Sequence, residues 1–164
     1  MTRARIDTLL PPELVTLAEP PAEKDACIEF LLDVAVDAGR VSDREVALDA
    51  LYAREEQTTT GVGLGVAIPH ARTGAVVRPS VVFARSERGV DFDALDGEPA
   101  TLVFMLLVPE RGSETHLEVL SSLSRALVRE EVRSALRTAG SPEAVRTTLE
   151  RAIEESLERS NPGG

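Results

Sequence analysis

Two histidines are the residues of this chain best suited to chemistry near neutral pH. His70 and His116 are its two histidines, and a neutral imidazole can act as a nucleophile or exchange a proton at that pH. His70 follows Pro69, whose fixed φ restricts the backbone and helps to aim the ring. We predict that His70 ends a strand and that His116 lies in the first turn of a helix, where the dipole favours a nearby anion. Position alone leaves open that both are ordinary surface or hydrogen-bonded histidines.

Arg54 is a candidate for binding an anion. It lies at the predicted end of a helix, directly before a glycine-rich segment. Its guanidinium is always charged and planar, so it suits phosphate or carboxylate. The sequence Arg54-Glu55-Glu56 is also typical of a solvated helix end, which leaves the role of Arg54 open. Cys27 falls on the apolar face of a predicted helix, so we expect it to be a plain core residue.

The glycine-rich segment TTTGVGLG, residues 58–65, invites comparison with nucleotide-binding loops. A dinucleotide fingerprint would need a glycine at Val66 or at Ile68, and the chain contains no Gly-Lys-Ser/Thr. The spacing therefore fits neither the Rossmann fingerprint nor a P-loop. We interpret the segment as a loop that turns tightly or lets another group approach its backbone closely.

The elements that must position these residues alternate between helices and strands. Apolar residues at helical spacing predict four helices: one over about 23–38, one from Ser42 or Asp43 to the segment 54–57, one capped by Ser113, and one capped by Ser141. Short apolar runs predict strands at 66–68, 80–85 and 101–108, and Asp96-Gly97 predicts a turn. The proline-broken segment 6–15 predicts an extended lead-in.

This pattern predicts one α/β domain, a sandwich in which helices flank a mixed β-sheet on both sides. The domain should span residues 1–158, and residues 159–164 should form a disordered tail. The longest apolar run, 101–108, is far shorter than the roughly 20 residues that cross a bilayer. With one cysteine and no signal-peptide pattern at the N-terminus, the sequence favours the cytoplasm.

The charge balance excludes one class of function and raises a separate question. The 164 residues carry 18 Lys and Arg against 28 Asp and Glu, a formal net charge of −10, which argues against nucleic-acid binding. Lys24 is the one lysine among these cations. The bias to arginine has two possible origins, GC-rich coding or adaptation to a salt-rich cytoplasm, and the sequence alone does not separate them.

Four segments together resemble the enzyme IIA domain of the fructose/mannitol class of the sugar phosphotransferase system. They are Arg54-Glu55-Glu56, the run from Thr60 to His70 that ends in Gly-Val-Ala-Ile-Pro-His, Asp96-Gly97, and His116-Leu117. The similarity runs from about residue 6 to residue 153. The resemblance implies a single α/β domain with a mixed sheet, in agreement with the periodicity.

The resemblance also implies a mechanism without a metal or a cofactor. His70 would accept a phosphoryl group from the phosphocarrier protein HPr and pass it to a cysteine of enzyme IIB, with a separate membrane permease. His116 and Arg54 would line the same site. The implied phosphoryl-binding loop comprises Thr60, Gly61, Gly63, Gly65 and Pro69. Because such encounters are transient, we expect a shallow apolar rim around His70.

Two other functions remain open at this stage. Nitrogen-type enzyme IIA proteins share these motifs and control other proteins instead of supplying a transporter. A metal-dependent hydrolase that uses His70, His116 and an acid is a more distant alternative, because neither histidine belongs to a short ligand motif. The sequence indicates neither the sugar nor the oligomeric state.

Overall fold

The computed structural model describes residues 8–111 and 113–160, without the side chains of residues 113–117 and 156–160. The described chain forms five α-helices and five β-strands. In chain order they are α1 (Lys24–Asp37), α2 (Arg44–Gln57), β1 (Gly61–Gly63), β2 (Val66–Ala67), β3 (His70–Arg72), β4 (Ser80–Val90), β5 (Ala100–Val108), α3 (Ser113–Leu127), α4 (Glu130–Thr138) and α5 (Pro142–Ser160).

Strand β5 organises the sheet. On one side it pairs antiparallel with β4, so that Phe83 lies opposite Phe104. On its other side, β5 pairs in parallel first with β2 and then with β3. In the pairing with β3, His70 lies opposite Leu106. Strand β1 adds an antiparallel partner to β2. The predicted mixed sheet is confirmed.

Helices cover the sheet in two groups. In one group, α1 packs on β4 and β5, and α2 packs on α1 and β3. In the other group, α3 and α4 pack on β5, and α5 packs on both of these helices. Between the groups, every residue of β5 from Leu102 to Val108 has no exposed surface. A strand that is buried on both faces has a continuous run of apolar residues. This run is why the sequence predicted β5 correctly.

Two predicted helix starts are confirmed by their caps. The Asp43 carboxylate accepts a hydrogen bond from the backbone N–H of Val46 at 3.2 Å, and the Ser141 hydroxyl accepts one from that of Ala144 at 3.1 Å. The predicted cap at Ser113 lies outside the described side chains. Helix α5 extends to Ser160, and the rest of the predicted tail, 161–164, lies outside the described residues.

Three local predictions are wrong. The lead-in is not extended throughout, because Pro12–Leu14 form a 3-10 helix that buries Leu14 completely. His70 begins strand β3 instead of ending a strand. Pro69 has no N–H to donate to a neighbouring strand, so β2 ends before it and β3 begins after it. Strand β4 continues to Val90, well beyond the predicted end at residue 85.

Helix α4 is an element that the sequence reasoning missed. It carries Val132 and Leu136 on its buried face, four residues apart, and two glutamates in its first turn. That spacing and those acids are the signal that could have identified it. None of the described helices combines the length and apolarity needed to cross a membrane.

Candidate functional site

The imidazole of His70 is held from both of its nitrogens. Its Nδ1 lies 2.8 Å from the carbonyl oxygen of Ile68, and its Nε2 lies 3.1 Å from the Nε of Arg54. An arginine Nε always carries a hydrogen, so Nε2 must supply the lone pair and Nδ1 must carry the proton that Ile68 accepts. These partners assign the neutral tautomer in which Nε2 is the nucleophilic atom.

The surroundings of His70 favour this neutral form. Burial of the ring lowers its pKa most, and the nearby positive charge of Arg54 lowers it further. The hydrogen bond to Ile68 and the negative charge of Glu55 oppose the shift, but the pKa still lies below the ordinary histidine value. The lowered pKa therefore favours the neutral ring, which is the form that a nucleophile requires.

Arg54 reaches His70 from the last turn of α2. Besides its contact with the ring, it donates from Nη1 to the carbonyl oxygen of Thr58 at 3.1 Å. This second bond ties the guanidinium to the end of its own helix and fixes the direction from which it approaches the ring. The structure thus brings together Arg54 and His70, two of the residues that the sequence singled out.

Glu55, the next residue of α2, is a member of this cluster to which the sequence reasoning gave no role. Its side chain is 6% exposed and lies 3.6 Å from the Nζ of Lys24. Its two oxygens accept from the backbone N–H of Thr60 at 3.0 Å and from the Thr60 hydroxyl at 2.5 Å. The predicted loop residue Thr60 is therefore anchored to α2. The sequence signals for Glu55 were its place beside Arg54 and its membership of the Arg54-Glu55-Glu56 segment of the family resemblance.

The glycine-rich segment forms a hairpin rather than an irregular loop. Strands β1 and β2 are joined by a turn in which Gly63, Leu64 and Gly65 all have positive φ, at 88°, 60° and 76°. For Leu64 this conformation costs roughly 1–2 kcal/mol. The Asp96 carboxylate accepts from the Leu64 N–H at 2.9 Å, and Arg137 donates to the Leu64 carbonyl at 3.4 Å. The turn is held from both sides.

Neighbouring groups within the protein explain why glycine occupies positions 61, 63 and 65. A Cβ at Gly61 would lie 3.0–3.2 Å from Phe92 and Ala94, and one at Gly63 would lie 3.0 Å from the Asp96 carboxylate. At Gly65 the same atom would lie 3.0 Å from the Arg137 guanidinium. The expected close approach to the backbone is thus made by the protein's own groups.

An open apolar groove runs beside the hairpin. It has a volume of about 240 Å³ and lies between the β1–β2 hairpin and the end of α3. Val62, Leu64 and Val128 line it and leave half or more of their surfaces exposed. Ile68, whose carbonyl holds the His70 ring, lines it as well. Ile68 is therefore the residue that the groove shares with the surroundings of the His70 ring.

The structure leaves one predicted site residue undescribed. His116 is the fourth residue of α3, in its first turn as expected, but its side chain lies outside the described side chains. Within the part of the chain that is described, no group of three or more His, Cys, Asp or Glu side chains could hold a metal ion. Cys27 is buried as predicted, and burial raises the pKa of its thiol to about 12.

Comparisons with known proteins agree on one family. The family described as "Phosphoenolpyruvate-dependent sugar phosphotransferase system, EIIA 2" matches residues 8–152. The chain is 57% identical over 149 residues to the "PTS system fructose-specific EIIA component" of Haloferax volcanii, covering 91% of this chain and 97% of the relative.

Solved structures extend the same likeness to the fold. The nitrogen regulatory protein IIA-Ntr of Neisseria meningitidis superposes with a TM-score of 0.82 at 36% identity, covering 88% of this chain and 99% of that one. An Escherichia coli complex of enzyme IIAMTL with phosphorylated enzyme IIBMTL matches with a TM-score of 0.72 at 28% identity, covering 84% of this chain and 94% of that one.

Proposed function

The chain belongs to the EIIA 2 family of the phosphoenolpyruvate-dependent sugar phosphotransferase system, and from this premise we propose that it carries a phosphoryl group on Nε2 of His70. The observation that supports this most directly is the pairing of that atom with Arg54. Because Nε2 accepts this hydrogen bond, it carries no proton of its own and keeps its lone pair. The bond also places the permanently charged guanidinium 3.1 Å from the atom that would attack.

The proposed donor is the phosphohistidine of an HPr-type phosphocarrier protein. The Nε2 lone pair of His70 attacks phosphorus, the bond between phosphorus and the donor nitrogen breaks, and that nitrogen recovers its electron pair. No proton needs to move on His70, because Nδ1–H stays bonded to Ile68. In the onward step the thiolate of an enzyme IIB cysteine attacks phosphorus and the P–Nε2 bond breaks. Neither step requires a metal ion or a cofactor.

Arg54 acts twice in this scheme. Before transfer its Nε–H occupies the Nε2 lone pair, so the guanidinium must turn away as phosphorus arrives. The equatorial phosphoryl oxygens then accept its hydrogen bonds, and charge stabilisation of this kind is the main protein contribution to phosphoryl transfer. His116 is proposed to assist from the first turn of α3, where the helix start favours an anion.

The loop residues position this chemistry more than they contact phosphate. Pro69 sets the backbone before the ring, Thr60 is fixed by Glu55, and the three glycines shape the hairpin. The apolar groove beside the hairpin is the proposed rim on which the donor and the acceptor protein dock in turn. Its small size suits transient encounters.

We propose that the sugar pathway served is fructose uptake, with enzyme IIB and the membrane permease on other chains. The relative from Haloferax volcanii named as fructose-specific, 57% identical along almost its whole length, supports this choice. The alternative is a regulator of the nitrogen type, which the likeness to IIA-Ntr of Neisseria meningitidis supports. Both roles share the phosphorylation step, but the transport component passes the group to enzyme IIB, whereas the regulator acts by binding other proteins.

Incubation with phosphoenolpyruvate, enzyme I and HPr tests the first step. We expect one phosphoryl group per chain, labile in acid and stable in base, on the wild-type protein and none on His70→Ala. His116→Ala is the matched control, because it should slow transfer and still reach one group per chain. Stoichiometric phosphorylation of His70→Ala would overturn the proposal.

The second step separates the two candidate roles. The phosphorylated protein is mixed with a purified fructose-type enzyme IIB, and the label on each chain is followed over time. Transfer to the IIB cysteine within seconds supports transport. Failure with the fructose-type enzyme IIB and with those of other sugars, while His70 is fully phosphorylated, favours the regulatory role.

A further inference from the structure

A continuous series of hydrogen bonds leads from Glu55 to the His70 ring. The Glu55 carboxylate holds the N–H and the hydroxyl of Thr60. The Thr60 carbonyl accepts from the Ile68 N–H at 2.9 Å, and the Ile68 carbonyl accepts from Nδ1 of His70 at 2.8 Å. The first bonds link the end of α2 to the start of the hairpin and the start of the hairpin to its end, and the last bond spans Pro69.

We propose that Glu55 is a positioning residue for phosphoryl transfer, which fixes the orientation and tautomer of His70 through Thr60 and Ile68. This inference rests on the proposed role of His70 as the phosphoryl acceptor. Consecutive residues of α2 then control opposite nitrogens of one ring: Arg54 contacts Nε2 directly, and Glu55 sets Nδ1 through the backbone.

The location of Glu55 suits this task. Its side chain is almost fully buried and its charge is balanced by Lys24, which also pairs with Asp93 at 3.3 Å. A buried carboxylate with several partners has few alternative positions, so it can hold Thr60 rigidly. Thr60 itself is 3% exposed. The carbonyl that orients the ring belongs to Ile68, which lies with Pro69 in the short break between strands β2 and β3.

The tautomer is the link between this geometry and the rate. Whichever ring nitrogen donates to a fixed acceptor keeps the proton, and the other keeps the lone pair. If the Ile68 carbonyl moves, Nδ1 loses its acceptor, and a share of the rings can carry the proton on Nε2 instead. Those rings cannot attack phosphorus. Misplacement of the ring lowers the rate further, since transfer depends on alignment.

A merely structural role for Glu55 would change stability without changing the ring. Three variants separate the two roles. Glu55→Ala removes both acceptors, Glu55→Gln keeps an acceptor for the Thr60 N–H, and Thr60→Val removes only the hydroxyl. Glu56→Ala is the matched control, because Glu56 is the adjacent glutamate on the same helix and is exposed.

The experiment combines nitrogen NMR of the histidine rings with single-turnover transfer from phosphorylated HPr at varied HPr concentrations, in which kcat is the limiting rate constant and KM the half-saturating HPr concentration. For Glu55→Ala we expect a lower share of the Nδ1–H tautomer of His70 and a kcat reduced about tenfold, with KM for HPr within about twofold. Glu55→Gln should restore both readouts to within about twofold of wild type, and Glu56→Ala should match wild type.

The inference is overturned if folded Glu55→Ala keeps the wild-type tautomer and kcat. If Glu55→Ala does not fold, Thr60→Val is the deciding variant, because it retains the buried pair of Glu55 and Lys24. A kcat reduced about threefold together with a changed tautomer would support the inference. An unchanged kcat and an unchanged tautomer would overturn it. Failure of the wild-type protein to accept phosphate would instead reject the proposed function.

Discussion

The Nε of Arg54 donates to Nε2 of His70 across 3.1 Å, so the lone pair that would attack phosphorus is occupied before a donor arrives. The same cation lowers the pKa of the ring, although burial lowers it more. This contact favours the same tautomer as the Ile68 carbonyl does, adds to the lowering of the pKa by burial, and places a phosphate-binding group beside the nucleophile. Its cost is that Arg54 must change partners during each transfer.

Arg54→Ala should slow phosphorylation of His70 by about 100-fold, because one group that stabilises the transferring charge is lost. Its stability should stay within about 1 kcal/mol of wild type, since the guanidinium lies at the site and not in the core. Stopped-flow transfer from phosphorylated HPr and urea unfolding give the two values. Arg44→Ala, at the other end of α2, serves as the control, with an unchanged transfer rate. A large stability loss in Arg54→Ala would contradict the expectation.

The pH dependence of phosphorylation should reflect the lowered pKa of His70. The transfer rate should fall in acid with a midpoint below about 6.5, the ordinary histidine value, because protonation removes the nucleophilic lone pair. The pKa of His70 is lower in the folded chain than in the unfolded chain. The neutral ring therefore contributes to the free energy of unfolding above about pH 6.5, and this contribution is lost as the pH falls below that value. A rate profile measured between pH 5 and 8 checks the first point. In Arg54→Ala the midpoint should rise.

Gly63→Ala should destabilise the protein more than Gly97→Ala does. Both glycines have positive φ, but a Cβ at Gly63 would meet the Asp96 carboxylate at 3.0 Å, whereas the space at Gly97 is open. We expect losses of about 2–3 kcal/mol and about 1 kcal/mol in the free energy of unfolding. The difference measures the contact, because the backbone strain is common to both. Equal losses in urea titrations would show that the Asp96 carboxylate moves aside freely.

Val128→Asp should weaken docking without affecting the chemistry at His70. Val128 is 66% exposed and lines the apolar groove, so a charge there penalises burial under a partner. We expect KM for HPr to rise about tenfold, with kcat unchanged. Val77→Asp is the matched control, since Val77 is 56% exposed and is not part of the groove. An equal rise in both variants would point to general repulsion.

The melting temperature should rise between low salt and molar KCl. The chain carries a net charge of −10, and salt at 1 M shortens the screening length to about 3 Å, which weakens the repulsion among surface carboxylates. Differential scanning calorimetry over a KCl series gives the response. A flat profile would instead assign the preference for arginine to coding composition.

The sequence by itself predicted the α/β class, the mixed sheet, most helix boundaries and the burial of β5. These follow from local rules, because helical and strand periodicities and capping residues act over a few neighbouring positions. It predicted less well where tertiary contacts decide the backbone. The 3-10 helix at Pro12–Leu14 depends on the burial of Leu14, and the length of β4 depends on its pairing with β5.

The sequence also marked Arg54 and His70 as candidates, because their residue types are those that phosphate chemistry needs. Only the tertiary structure decided that they touch, which nitrogen of His70 holds the proton, and that Glu55 anchors Thr60 beside them. The physical reason is distance along the chain. Arg54 and His70 are 16 residues apart, and their contact exists only because α2 packs on β3, an arrangement that no local pattern encodes.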